Sequence, residues 1–372
     1  MVYLSDILDV SVLASLIKEG YISRKFHNEY PLAVLNYTPM AQYDPKLVWG
    51  TEMNLSRGLI YNTDTMEIVA RPFSKFWNYA DSRHPETMPE NLPNEVPLFL
   101  EKLDGSLGIL FEWDGKNHCA TRGSFHSEQA EWATNWLRSK FPTLDLPKDY
   151  TVCTEIIYHE NKIVIDYDFE GLVILGLINK TSGREFSRSE AKLYCRLQGL
   201  ELVKEHQKTL SNAISEDEKN REGYVITYSN GLKCKLKFGE YCRLHKILTG
   251  LNVHSVWELM RDGHGETIDG WLNDPRMPET FKTWVKNVWL NLTAQFEAIY
   301  NDTNTIYVNR PTLDQFMPYK ESRKKMAEYF TQEKNRKYSC LLFGLLDGKK
   351  IDVMIWKMIE PSGNAVYRAD GE

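Results

Sequence analysis

The stretch from Leu98 to Thr121 constrains this chain more than any other. Leu98–Leu103 is a short apolar run, broken by Asp104-Gly105. The apolar run Leu107–Phe111 follows, and Asp114-Gly115 separates it from His118–Thr121. Short apolar runs divided by Asp-Gly mark antiparallel strands joined by tight turns. An antiparallel sheet with helices packed on it, an α+β arrangement, is therefore expected here. Within this stretch stands Lys102-Leu103-Asp104-Gly105-Ser106. A lysine that ends an apolar strand just before a tight turn puts an amine at the mouth of a sheet. The glycine beside it lets a ligand approach the backbone closely. Taken alone, a lysine before Asp-Gly is more often a solvated hairpin residue.

The chain continues in the same style to about residue 250. Ser127–Phe141 carries Ala130, Ala133, Trp136, Leu137 and Phe141 at helical spacing. Thr151–Tyr158, Lys162–Asp166 and Leu172–Ile178 read as strands. Ser187–Leu197 reads as a helix, with Ser187 as cap and Glu190 three residues later. Gly223–Ser229 and Leu232–Phe238 form a hairpin across Asn230-Gly231, and the acidic stretch Glu216–Glu222 before it reads as a solvated loop. Beyond about 250 the period changes. Phe281, Trp284, Val285, Val288, Trp289, Leu292, Phe296, Ile299 and Tyr300 recur at three and four, which predicts a long amphipathic helix. Ser322–Phe330 and Ile351–Ile359 predict further helices. The expected domains are 1–248 and a helical 249–372.

Composition narrows the class. Of the 372 residues 42% are hydrophobic and 26% charged, a balance suited to a globular protein with a real core. The net charge of −6 speaks against a broad phosphate-coating surface, though Lys233, Lys235, Lys237, Arg243 and Lys246 gather locally. The six cysteines form no C-x-x-C pair and no zinc pattern. With no signal-peptide pattern and no long apolar stretch, a cytoplasmic protein without membrane attachment is expected.

Three further segments accompany the lysine motif in order. Thr154-Glu155-Ile156 places an acid inside an apolar strand. Glu222-Gly223-Tyr224-Val225 follows, and then Lys233-Cys234-Lys235-Leu236-Lys237, whose alternation puts three lysines on one strand face. A strand with three such lysines is, by itself, better explained by a solvated face. Upstream lie Ser56-Arg57-Gly58-Leu59-Ile60 and Arg71-Pro72-Phe73-Ser74-Lys75-Phe76-Trp77-Asn78. Downstream of the lysine lies Gly123-Ser124-Phe125-His126-Ser127-Glu128-Gln129-Ala130. Together these resemble the phage RNA ligase 1 family, within the covalent nucleotidyltransferases, over residues 50–248. Past that point the resemblance is weak.

The resemblance implies an antiparallel-sheet, ATP-grasp-like nucleotidyltransferase domain followed by an all-helical domain that could position RNA. It implies an ATP-dependent RNA ligase in which Lys102 attacks the α-phosphate of ATP and carries AMP. The AMP passes to an RNA 5′-phosphate, and a 3′-hydroxyl then displaces it. Lys235 and Lys237 match the lysines that grip the α-phosphate. Arg57 and Lys75 match phosphate-holding positions, Lys75 toward the pyrophosphate. Glu155 matches a ribose-side glutamate and Glu222 the glutamate assigned to Mg²⁺, with Mn²⁺ an alternative. Leu175 and Val225 match the apolar walls around adenine, and are equally ordinary strand core. Arg122 departs from the pattern, where a lysine is usual. Attack requires a neutral amine, so Lys102 is expected to have a depressed pKa, pressed by Lys235, Lys237 and the metal. The expected partner is RNA with 5′-phosphate and 3′-hydroxyl ends, a broken tRNA being one candidate. The expected state is a monomer, in the host cytoplasm if phage-encoded. Two alternatives stay open. One is a DNA ligase or capping-type enzyme sharing the lysine chemistry; the other is a non-catalytic nucleic-acid-binding protein with a relict nucleotide pocket.

Overall fold

The computed structural model describes residues 1–313 and 316–363. The chain divides into two compact units, one comprising Met1–His245 and the other beginning at Lys246. The expected boundary at 248 lies inside the helix Gly239–Gly250.

The first unit holds three sheets, with most pairs antiparallel. The first sheet orders β1 (Ile22–Phe26), β2 (Leu32–Tyr37), β3 (Arg57–Asn62) and β4 (Ile68–Ala70) as β1-β2-β3-β4. The remaining strands are β5 (Trp77–Asn78), β6 (Leu98–Lys102), β7 (Ser106–Trp113), β8 (Lys116–Thr121), β9 (Tyr150–Ile157), β10 (Gly171–Asn179), β11 (Glu201–Leu202), β12 (Glu205–His206), β13 (Gly223–Thr227) and β14 (Lys233–Lys237). They form two five-stranded sheets, β11-β10-β9-β7-β8 and β12-β6-β13-β14-β5. The expected hairpin at Asp114-Gly115 joins β7 to β8, with φ of 51° and 67° at the two turn residues. That pair of positive values matches the twist of the strands it joins.

The helix Glu128–Lys140 packs Ala133 and Leu137 against Leu110, Val152 and Ile174. Ser187 caps the helix Arg188–Gln198, and Glu190 completes the reciprocal capping box. One expected strand is absent. Residues 162–166 form an irregular segment because a side chain, not a neighbouring strand, takes up their amides. The Asp104 carboxylate accepts from the N–H of Val164 at 2.8 Å and of Ile165 at 2.9 Å.

The second unit is helical. Its longest helix, Glu279–Val308, has 30 residues and spans about 45 Å. The expected helices at 322–330 and 351–359 appear as Tyr319–Phe330 and Asp352–Met358. Met326, Phe330, Leu341, Leu342 and Ile355 form their core. Among the described residues, no helix is long and apolar enough to cross a membrane.

Candidate active site

Lys102 is the last residue of β6, and the next three residues carry the chain into β7 of the other five-stranded sheet. The lysine therefore sits where two sheets exchange a strand connection. Gly105 is required in that crossing, because a Cβ there would lie 2.5 Å from the Ile156 carbonyl oxygen. Asp104 is buried and fixes the turn. Besides its two amide contacts it accepts from the Tyr241 hydroxyl at 2.7 Å, while its own N–H donates to Tyr167 Oη at 2.8 Å.

Register places the rest. Gly223 pairs with both Lys102 and Lys237, and Val225 pairs with both Leu100 and Lys235. The alternating lysines of β14 thus run parallel to the strand that ends in Lys102. Glu222, expected on a solvated loop, is instead only 2% exposed. It enters β13 between two ammonium groups, Lys102 Nζ at 2.7 Å and Lys237 Nζ at 2.9 Å. Tight packing explains the glycine beside it. Gly223 has φ of 140°, and a Cβ there would sit 2.0 Å from the Leu236 carbonyl oxygen.

A cavity of about 440 Å³ opens at this point. Six of the nine sequence-predicted positions line it: Arg57, Lys102, Glu155, Leu175, Val225 and Lys235. Glu222 adjoins it through its ion pair to Lys102, and Lys237 through its ion pair to Glu222. Lys75 lines a neighbouring cavity of about 870 Å³, which shares the walls Phe73, Phe76, Leu100, Leu175 and Lys233. Leu175 and Val225 pack against the cluster of Leu100, Leu103, Val173 and Val203, which makes this end apolar.

The charges are strongly coupled. Burial pushes Lys235 down to about 6, helped by Arg57, Lys75, Lys102 and Lys237. Lys102 behaves in the opposite way. Burial presses against its charged form, but Glu222, Glu155 and Asp104 outweigh that effect and raise its pKa. The expected depression thus falls on Lys235 rather than on Lys102, because Glu222 compensates Lys102 directly. Burial raises Glu155 to about 7 despite the nearby Lys102, and its Oε1 accepts from the Gly105 N–H at 3.0 Å.

Arg57 owes its direction to a bulge. The β2–β3 pairing slips between Leu35 and Asn36, and Gly58 there has φ of 93°. Such a bulge re-aims the side chain next to it. Leu59 faces the core with Leu35, while Arg57 lines the cavity, half-buried, with Nη1 buried and unpartnered among the described residues.

Sequence reasoning missed Tyr37. Its hydroxyl accepts from Lys75 Nζ at 2.9 Å and from Arg122 Nη1 at 3.0 Å. Burial would raise its pKa, yet Arg122, Lys75 and Arg57 together hold it below the ordinary phenol value. Lys75 also lies 4.4 Å from the Tyr37 ring and 4.8 Å from the Trp77 ring. Tyr37 ends an apolar strand, so nothing in its local pattern separates it from core.

A Mg²⁺ ion would find one suitable donor here, the Glu222 carboxylate, since a hard cation takes oxygen ligands. Among the described residues, no group of three or more His, Cys, Asp or Glu could enclose an ion without the substrate. The oxygens of nucleotide phosphates would complete such a shell, which is usual for Mg²⁺.

Comparison with known proteins places this arrangement. A candidate RNA ligase of Thermovibrio ammonificans is 28% identical over 238 residues, 60% of this chain and 62% of that protein. A candidate bifunctional polynucleotide kinase/RNA ligase of Autographa californica nuclear polyhedrosis virus is 26% identical over 281 residues, 66% of this chain and 38% of its own length. The chain therefore spans less than two thirds of either relative. An archaeal ATP-dependent RNA ligase structure aligns with TM-score 0.47 at 13% identity, covering 92% of this chain and 96% of that one. The profile of the phage T4 RNA ligase 1 type matches residues 55–241, half of the chain. That span carries Arg57, the Lys102 turn, Glu155 and the lysines of β14, and the chain belongs to this RNA ligase family.

Proposed function

We propose that the chain is an ATP-dependent RNA ligase that joins 5′-phosphate and 3′-hydroxyl RNA ends through a lysyl-AMP intermediate. One observation carries this reading. Lys102 reaches a cavity that is apolar at Leu175 and Val225, cationic at Arg57, and lined by the Lys235 amine. Those are the two surfaces an adenine nucleotide needs, an apolar slot for the base and donors for its phosphates.

Lys102 Nζ attacks the α-phosphorus. The bond to the pyrophosphate oxygen breaks as the phosphoramide forms. Lys235, with a pKa near 6, regains a full charge when phosphate oxygens arrive, and so strengthens as the developing charge grows. Lys237, Arg57 and Lys75 add fixed positive charge, Lys75 at the pyrophosphate side. Glu155 is positioned for the ribose. Glu222 would hold Mg²⁺, whose chemistry is neutralisation of phosphate charge. With Glu222 turned from Lys102, the contact that retains the ammonium proton is lost. Lys235, Lys237 and Arg57 then favour release of that proton to water, which leaves the free amine that attack requires. The adenylyl group passes to the RNA 5′-phosphate, and a 3′-hydroxyl displaces AMP. The helical unit is assigned to positioning the RNA.

A panel of 5′-phosphorylated RNA and DNA strands, with and without ATP, tests this. Sealing of RNA ends only with ATP is the expected result. Sealing of DNA in preference to RNA would favour the DNA-ligase alternative. Strand binding with no sealing and no adduct would favour the relict-pocket alternative.

A further inference from the structure

One residue that lines the cavity carries a polar atom left without work by the chemistry above. Asn36 Oδ1 is buried and has no hydrogen-bond partner among the described residues. Its position is set by strand register. Asn36 lies opposite Arg57 on β3 and opposite Ser23 on β1, so the three form one cross-strand row on a single sheet face. The bulge at Gly58 brings Arg57 into that row. Both Asn36 and Arg57 line the cavity, and so does Lys25, two residues along β1 from Ser23. The row therefore leads from the buried guanidinium to an exposed edge strand carrying Lys25. Gly123 leaves room for the amide: a Cβ there would come within 3.1 Å of Asn36 Nδ2.

The type of atom identifies the ligand. A buried carbonyl oxygen calls for a donor. An ionised phosphate offers only acceptors, so it suits Arg57 and Lys25 but not Asn36 Oδ1. The base slot is formed by other residues of the same cavity, Leu175 and Val225, in the cluster around Leu100. A ribose hydroxyl is a donor, and it is the group that distinguishes RNA from DNA. We propose that Asn36 accepts a hydrogen bond from a ribose hydroxyl of the RNA end being joined, and so sets the preference for RNA over DNA. Lys25 meets a neighbouring phosphate of the same strand. This rests on the ligase reading for its substrate, but not for its geometry.

The test is equilibrium binding of matched 5′-phosphorylated single-stranded RNA and DNA oligonucleotides to the full chain. Wild type, Asn36→Leu and Asn36→Ala are compared, and adenylylation by ATP is followed separately. Wild type is expected to favour RNA by about tenfold, one well-made hydrogen bond against an unsatisfied buried oxygen. Both substitutions should bring RNA binding down to the DNA value while adenylylation stays within about twofold. Lys25→Ala should weaken RNA and DNA alike. Three results would overturn the proposal: no RNA preference in wild type, an RNA preference that survives both substitutions, or adenylylation lost in both variants. The last would assign Asn36 to ATP. A wild type that prefers RNA but never takes up AMP would sink the ligase reading and leave this inference standing.

Discussion

Lys235→Met should make the unliganded protein more stable while removing a phosphate-gripping charge. Among the described residues, Lys235 has no ion-pair partner comparable to the one Lys102 has in Glu222. Burial and the surrounding cations hold its pKa at about 6, against an ordinary value of 10.5. At pH 7 the unfolded chain therefore carries a proton on this amine that the folded chain has released. Each pH unit between 7 and 10.5 represents about 1.4 kcal/mol, which sets a ceiling near 5 kcal/mol on the cost to folding. Local relaxation lowers this, and replacing buried charge with apolar volume typically returns about 1–4 kcal/mol. Methionine is unbranched and fits a lysine stem. For a unit of this size the gain corresponds to a rise in Tm of about 5–10 °C. The pH dependence has a definite sign. From about 6 to 10.5 the unfolded state binds more protons here, so wild-type stability at this site rises with pH. The variant lacks that contribution, so its advantage is full below pH 6 and shrinks by about 1.4 kcal/mol per unit above it. Thermal unfolding of both proteins at pH 6, 7, 8 and 9 measures this. A variant less stable than wild type, or a gap independent of pH, would refute the argument.

Two other outcomes are expected. Tyr37→Phe removes the hydroxyl that accepts from Lys75 and Arg122. Pre-steady-state adenylylation should slow by about tenfold with Tm nearly unchanged, and an unaltered rate would remove Tyr37 from the site. Gly58→Ala forces a side chain onto a φ of 93°, with its Cβ 2.3 Å from Ile109 Cδ1. It should cost about 1–3 kcal/mol in chemical denaturation and misdirect Arg57, and wild-type stability would show that the bulge is not needed.

The parts of the fold legible in the sequence were those where one local pattern decided the outcome. The Asp114-Gly115 turn, the Ser187 capping box and the three-and-four spacing from Phe281 each fix their own element, whereas Asp104-Gly105 joins no paired strands and passes the chain from one sheet to the other. The failures came where a distant side chain intervened. Residues 162–166 have strand composition, but Asp104 captures their amides from some sixty positions away. Glu222 follows charged loop residues and reads as solvated, yet its neighbour Gly223 pairs with Lys102 and Lys237, and Glu222 is buried between their ammonium groups. The first sheet was harder still. Leu32–Tyr37 is nearly all apolar, so neither Tyr37 nor Asn36 stands out as polar function, and the aim of Arg57 depends on one bulge. Lys102 was legible as the residue that ends a strand just before a tight turn. Its pKa was not, because the nearest carboxylate is 120 positions away in sequence.

The central claim is that Lys102 forms a covalent bond to AMP. Intact-mass spectrometry of the full chain after incubation with ATP and Mg²⁺ addresses it directly. A mass gain of one adenylyl group is expected in the wild type, located on the peptide containing Lys102 and absent from Lys102→Ala. An unmodified wild type, or an adduct that persists in Lys102→Ala, would contradict it.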